Sequence, residues 1–167
     1  MGTQSGDIDP EIIQAAHDQT HMPYAEIFKQ LNTESGLYGL CGDSDLRTIT
    51  QRCEAQDATA QLALDTFCYR IKAYIGAYTA ILGPIDALIF TGGIGEHSPR
   101  VRQLSTNGLS HLGITLDAQR NVSATSVDDI IDLTGSDSSI KVYAIHTDEA
   151  RHMAQKAQTV WNTTSTH

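Results

Sequence analysis

Apolar residues recur at steps of three and four through residues 56–82: Ala60, Leu64, Phe67, Cys68, Ile71, Ile75, Tyr78 and Leu82. That spacing puts them on one stripe of a long helix, and Gly83-Pro84 ends it. Shorter helices are predicted upstream. Asp9-Pro10-Glu11 is a helix start, with Asp9 as cap and Pro10 in the first turn, and Ile12, Ile13 and Ala16 form the apolar face. A second helix spans residues 23–31 and turns Ile27, Phe28 and Leu31 inward. A third is opened by Asp43-Ser44-Asp45-Leu46-Arg47. Before it stands Ser35-Gly36-Leu37-Tyr38-Gly39-Leu40-Cys41-Gly42, whose closely spaced glycines predict a loop of unusual dihedrals or close backbone approach.

Beyond Pro84 the pattern changes. Residues 85–90 are a short, mostly apolar run, predicted as a buried strand of a parallel sheet. It feeds directly into Thr91-Gly92-Gly93-Ile94-Gly95-Glu96-His97, predicted as a strand-to-helix loop. Ser98-Pro99 then caps a helix reaching about residue 109. Residues 114–116 and 130–133 predict short edge strands, and residues 141–146 a second core strand. Thr147-Asp148-Glu149 starts a last helix that runs to about residue 160. Helices followed by strand–loop–helix and strand–helix define an α/β fold with parallel core strands and flanking helices. Its ligands are expected at the carboxyl ends of the strands.

Composition narrows the class. The chain has 167 residues, 40% hydrophobic and 19% charged, which suits one domain with a real core and excludes intrinsic disorder. Eleven Lys and Arg against twenty Asp and Glu give a net charge of −9. Nucleic acid and anionic membrane are therefore not expected as partners. No apolar run is long enough to span a bilayer, and residues 1–7 carry neither a basic nor an apolar leader segment. Cys41, Cys53 and Cys68 show no paired spacing, which points to reduced thiols and a cytoplasmic setting.

Three stretches carry candidate chemistry. In Thr91-Gly92-Gly93-Ile94-Gly95-Glu96 the glycines let backbone N–H groups close on an anion or a sugar, and the following helix start adds a favourable partial charge. The bland alternative is a ligand-free turn. A dinucleotide fingerprint also competes, since Gly93, Gly95 and Ser98 are one residue short of its glycine pattern and Asp117 falls near the expected acidic position. Asp45-Leu46-Arg47 offers a carboxylate for ribose hydroxyls and a guanidinium to stack on a base, against the plainer reading of a helix cap and a solvated Arg. Asp148 and Glu149, at a strand end, suit Mg2+, which binds through one or two acids plus substrate phosphates; the alternative is acids complementing a helix dipole. His17 and His21 are four apart but lack the HExxH pattern, so a zinc site is not expected there.

Taken together, these stretches resemble acetate kinase, of the acetate and sugar kinase/Hsc70/actin superfamily. Residues 1–10, MGTQSGDIDP, are similar to the family's MGTRSGDIDP. Residues 34–40, ESGLYGL, are similar to ESGLLGL, and residues 44–47, SDLR, to SD-x-R. KAYIGAY at 72–78, DALIFTGGIGE at 86–96 and IHTDE at 145–149 are similar to KYIGAY, DAVVFTGGIGE and IPTNEE. The resemblance implies a partial ribonuclease H-like (actin-like ATPase) fold. It implies transfer of phosphate from ATP to acetate, giving ADP and acetyl phosphate, with Mg2+, in a cytoplasmic enzyme that dimerises at full length. Asp45, Leu46 and Arg47, together with Gly92, Gly93, Ile94, Gly95 and Glu96, fall on its nucleotide-binding elements. Glu149 falls on its metal carboxylate. Gln4 stands where the family carries the Arg that stabilises transition-state charge. His97, His146, Asp148 and Ala150 also depart from it. The family's acyl-binding Arg, catalytic Asp and His, and phosphate loop have no counterpart here. The expectation is therefore the C-terminal part of the nucleotide-binding domain over residues 1–167, inactive by itself, with a non-catalytic nucleotide- or partner-binding remnant as the alternative.

Overall fold

A computed structural model describes residues 1–125 and 129–164. The chain forms two compact units, Met1–Gly83 and a second from Pro84 onward.

The first unit is helical: α1 (Glu11–Thr20), α2 (Tyr24–Thr33), α3 (Gly36–Cys41), α4 (Leu46–Glu54) and α5 (Ala58–Leu82). Side-chain oxygens of Asp45 and Asp57 accept the first free N–H groups of α4 and α5, which is why these helices begin where they do. Asp9 caps the start of α1 as expected: its Oδ1 accepts the Glu11 N–H at 2.9 Å, and Pro10 between them already has helical angles. The core is Ile27, Leu37, Leu46, Ile49, Cys53, Ala60, Ala63, Leu64 and Cys68. Two expectations are corrected. The stripe on α5 is buried only as far as Cys68, and Tyr78 and Leu82 are 56% and 69% exposed. Phe28 on α2 is half exposed rather than inward. Periodicity specifies a face and not what covers it.

The glycine-rich stretch expected as a loop is the helix α3. Its glycines sit at the ends and at a close approach instead of opening the backbone. Gly36 has φ +60 and Gly42 φ +74, the latter ending the helix in the left-handed conformation. The N-terminal segment runs across the start of α3, and the N–H groups of Leu37 and Tyr38 donate to the Met1 and Gly2 carbonyls at 3.1 and 2.9 Å.

The second unit holds β1 (Ala87–Phe90), α6 (Gly92–His97), α7 (Pro99–Thr106), α8 (Ala118–Ser123), β2 (Ile130–Asp132), β3 (Lys141–Ile145) and α9 (Glu149–Thr164). The sheet order is β1-β3-β2, with β1 parallel to β3 and β2 antiparallel to it. Only β3 is central, and Val142 and Ala144 on it are fully buried. β1 is an outer strand of this sheet and is buried on one face only, with Ile89 51% exposed, so the expected fully buried strand is half right. Residues 114–116 form no strand; Leu116 makes one isolated bridge with Thr134. Among the described residues no helix is long and apolar enough to cross a membrane.

Candidate nucleotide cleft

Because β1 and β3 are parallel and in register from Ala87 with Lys141 to Phe90 with Ala144, their chain connections leave the sheet on the same side. Between these connections lies an open cleft of about 330 Å³, lined by Gly92, Gly93 and Glu96 from α6 and by His146, Asp148 and Glu149 from the β3–α9 turn. The glycine segment is the short helix α6, not the expected loop, and its glycines meet separate demands. Gly92 has φ +71, which L side chains resist. Gly95 packs against Phe90, where a Cβ would come within 3.2 Å of the carbonyl carbon. Gly93 has neither constraint, and a Cβ there would meet open space. Packing does not require its missing side chain, so the position suits the close approach of a ligand.

Glu96 organises the two sides of the cleft. It is 3% exposed. Its Oε1 accepts the Gly92 N–H at 2.9 Å, the Thr147 N–H at 3.1 Å and the Thr147 hydroxyl at 3.0 Å. Its Oε2 lies 2.8 Å from His146 Nδ1. An ionised carboxylate can only accept, so the shared proton resides on Nδ1. Burial alone would raise the Glu96 pKa, but the bonds from His146, Thr147 and Gly92 prevail and hold it at about 2. Glu96 is therefore a permanent anion consumed by protein donors. It fastens α6 to the β3–α9 turn. Asp148 caps α9 by accepting the Arg151 N–H at 2.9 Å, and the Thr147 hydroxyl donates to Glu96.

The structure thus brings Gly92, Gly93, Glu96 and Glu149 to one cleft. Ile94 is exposed, and Gly95 packs against Phe90. Asp45, Leu46 and Arg47 lie in the first unit. Asp45 is at once the α4 cap and the partner of the highly exposed Arg47, which donates Nη2–H at 2.6 Å and holds the Asp45 carboxyl at about 2. The Leu46 side chain belongs to the core. Gln4 lines a separate cleft of about 670 Å³ in the first unit with Asp7, Arg70 and Tyr74. The Tyr74 hydroxyl and the Arg70 guanidinium both donate to Asp7 and hold its carboxyl below the usual range. The dinucleotide alternative fails locally, since Ser98 and Asp117 are the caps of α7 and α8. His17 stacks on Tyr24 and bonds the Met22 carbonyl. Among the described residues no three His, Cys, Asp or Glu gather as a metal cage. Glu149, exposed at the cleft with Asp148 beside it, still fits Mg2+, which takes one or two protein carboxylates and completes its shell with phosphates and water.

Sequence reasoning missed Arg102 and the partners of Glu96. Arg102 is fully buried in α7 among Val101, Ser105 and Thr106, and the signal available was an arginine on the inward face of a helix. The Glu96–Thr147 pairing spans 51 positions and leaves no local trace.

Known proteins similar to this chain include acetate and propionate kinases. A curated acetate kinase of Syntrophobacter fumaroxidans is 45% identical over 161 residues, covering 96% of this chain and 39% of that protein. One of Kocuria rhizophila is 44% identical, covering 96% and 39%. The solved acetate kinase of Porphyromonas gingivalis superposes with a TM-score of 0.87 at 33% identity, covering 96% of this chain and 40% of that one. A solved propionate kinase of Francisella tularensis gives 0.81 at 35% identity, covering 89% and 37%. The small sheet with its flanking helices is part of the actin-like ATPase fold of these kinases. The chain belongs to the acetokinase family, whose family model matches residues 1–155. It spans about 39% of the length of the curated relatives it matches.

Proposed function

We propose that this chain supplies nucleotide- and Mg2+-binding elements of an acetate kinase, which converts ATP and acetate to ADP and acetyl phosphate. An acetate oxygen forms a bond to the γ-phosphorus as the bond to the bridging oxygen of ADP breaks. The observation that carries the reading is the opening of Gly92 and Gly93 onto the same cleft as Glu149. The glycines leave room for the nucleotide, and Glu149 is the carboxylate for a phosphate-bound metal. Mg2+ would neutralise charge on the phosphates. Asp45, Leu46 and Arg47 keep the nucleotide role implied by their resemblance. The acyl acceptor is acetate or propionate, the two named among the relatives, and the full-length assembly is a cytoplasmic homodimer. Gln4 favours a second reading, a nucleotide-binding chain that does not transfer phosphate. It stands where the family has Arg, and a neutral amide stabilises developing phosphoryl charge far less than a guanidinium.

Calorimetry with ADP tests the shared part of both readings. Saturable ADP binding is expected, strengthened by Mg2+. Glu149→Gln is expected to remove most of that strengthening, roughly tenfold in Kd, while leaving metal-free ADP binding unchanged. No binding by the unaltered chain, with or without Mg2+, would refute the nucleotide site.

A further inference from the structure

Arg102 is buried with no counter-ion among the described residues. It is 0% exposed, and no carboxylate among the described residues pairs with it. All five N–H groups of its guanidinium instead meet neutral oxygens. Nε donates to Asn121 Oδ1 at 2.8 Å, and Nη1 to the Gly95 and Glu96 carbonyls, both at 2.8 Å. Nη2 donates to the Asn121 and Ala124 carbonyls at 3.0 and 2.6 Å. Gly95 and Glu96 lie near the end of α6, and Asn121 and Ala124 at the end of α8. Carbonyls at helix ends lack intrahelical partners and carry partial negative charge, so two helix termini act as the counter-charge. The Asn121 amide closes the ring by donating to the Pro99 carbonyl at 2.9 Å. Burial lowers the pKa of Arg102, yet a guanidinium stays protonated in a protein.

The carbonyls it holds belong to the same residues whose other contacts shape the cleft. Glu96 is gripped from two sides: its backbone by Arg102, its carboxylate by His146 and Thr147. Thr147 is two residues from Glu149. We propose that Arg102 is a positioning residue that fixes α6 against the β3–α9 turn and so sets the spacing of Gly93 and Glu149 across the cleft. What occupies the cleft rests on the nucleotide reading above; the positioning itself does not. A lysine keeps the charge but cannot reach five divergent acceptors with one ammonium group.

The test compares Arg102→Lys with Val142→Ala, a core change in β3 that destabilises the unit without touching the ring. Amide hydrogen exchange is read at Ser98 and Ala124, which bond the Ile94 and Arg120 carbonyls at the ends of α6 and α8. In Arg102→Lys these amides are expected to exchange about tenfold faster relative to β3 amides, whereas Val142→Ala raises exchange evenly. ADP affinity with Mg2+ is expected to fall about fivefold in Arg102→Lys and to hold in Val142→Ala. If Arg102→Lys does not fold, Asn121→Ala, which removes one side-chain acceptor, carries the same comparison. An even rise in both proteins, or none at Ser98 and Ala124, would overturn the proposal. If the unaltered chain binds no ADP, the nucleotide reading fails while the exchange comparison still decides the role of Arg102.

Discussion

Glu96→Ala is expected to destabilise the second unit by about 3 kcal/mol, because it removes a nearly buried, charged acceptor on which four partly exposed donors converge. The Gly92 N–H, the Thr147 N–H and hydroxyl, and the His146 Nδ1–H lose their common acceptor together. Glu96→Gln, with one oxygen kept, is expected to lose less. The same contacts make stability depend on pH. The Glu96 pKa is depressed from an ordinary 4.5 to about 2. A depressed carboxyl contributes stability that is fully present above about pH 4.5 and is lost as pH falls toward 2. The shift corresponds to roughly 3 kcal/mol across that window. Urea midpoints measured from pH 6 down to the acid limit check this. The unaltered chain is expected to lose stability more steeply than Glu96→Gln below about pH 4.5. Asp7, Asp45 and Asp57 are also depressed, but they act equally in both proteins, so the difference isolates Glu96. Parallel profiles would show that the network contributes no net stabilisation of the charge.

Gly36→Ala is expected to cost a similar amount, about 3 kcal/mol, in the first unit. A Cβ at Gly36 would lie 2.5 Å from the Met1 carbonyl oxygen and 2.8 Å from that of Gln4, at φ +60. The colliding atoms are backbone, so no side chain can rotate away. The N-terminal segment must lift from α3, breaking the bonds from Leu37, Tyr38 and Ser35 to the Met1, Gly2 and Thr3 carbonyls. Gly42→Ala is the internal control. It has φ +74 but nothing within 4 Å of the new Cβ, so only the conformational penalty of about 1 kcal/mol applies. Thermal unfolding of the two variants should separate them. Equal losses would mean that the close approach of residues 1–4 contributes nothing.

What the sequence displayed and what it hid follow from the range of the forces involved. Caps are local, so Asp45, Asp57 and Ser98 were legible as helix starts or lay beside them. Strands at 87–90 and 141–145 were legible from short apolar runs, and the Gly93 and Glu149 positions from their place after those strands. The glycine stretches misled because glycine marks backbone freedom or close approach without saying which. At Gly36 and Gly95 the reason was a neighbouring chain segment, invisible along the sequence. Phe28 and the second half of α5 misled because an apolar stripe does not name its cover. The resemblance to the acetokinase family supplied what pattern could not, assigning Glu149 and the glycine segment to one function. It did not reveal that Glu96 is spent on internal bonds, since that depends on partners about fifty residues away.

Gly93→Ala tests the nucleotide cleft most directly, because there stability and binding are expected to move in opposite directions. Gly93 lies in α6 with no positive φ and open space around a Cβ. Alanine should therefore leave the fold intact or stabilise the helix by up to about 1 kcal/mol. The added methyl would narrow the cleft that Gly93 lines together with Glu149, the space proposed for the nucleotide. ADP titrations with Mg2+, paired with thermal melts, should show an unchanged or raised Tm together with affinity reduced about tenfold. An unchanged Tm with unchanged ADP affinity would contradict the account, because the nucleotide would then not lie against α6.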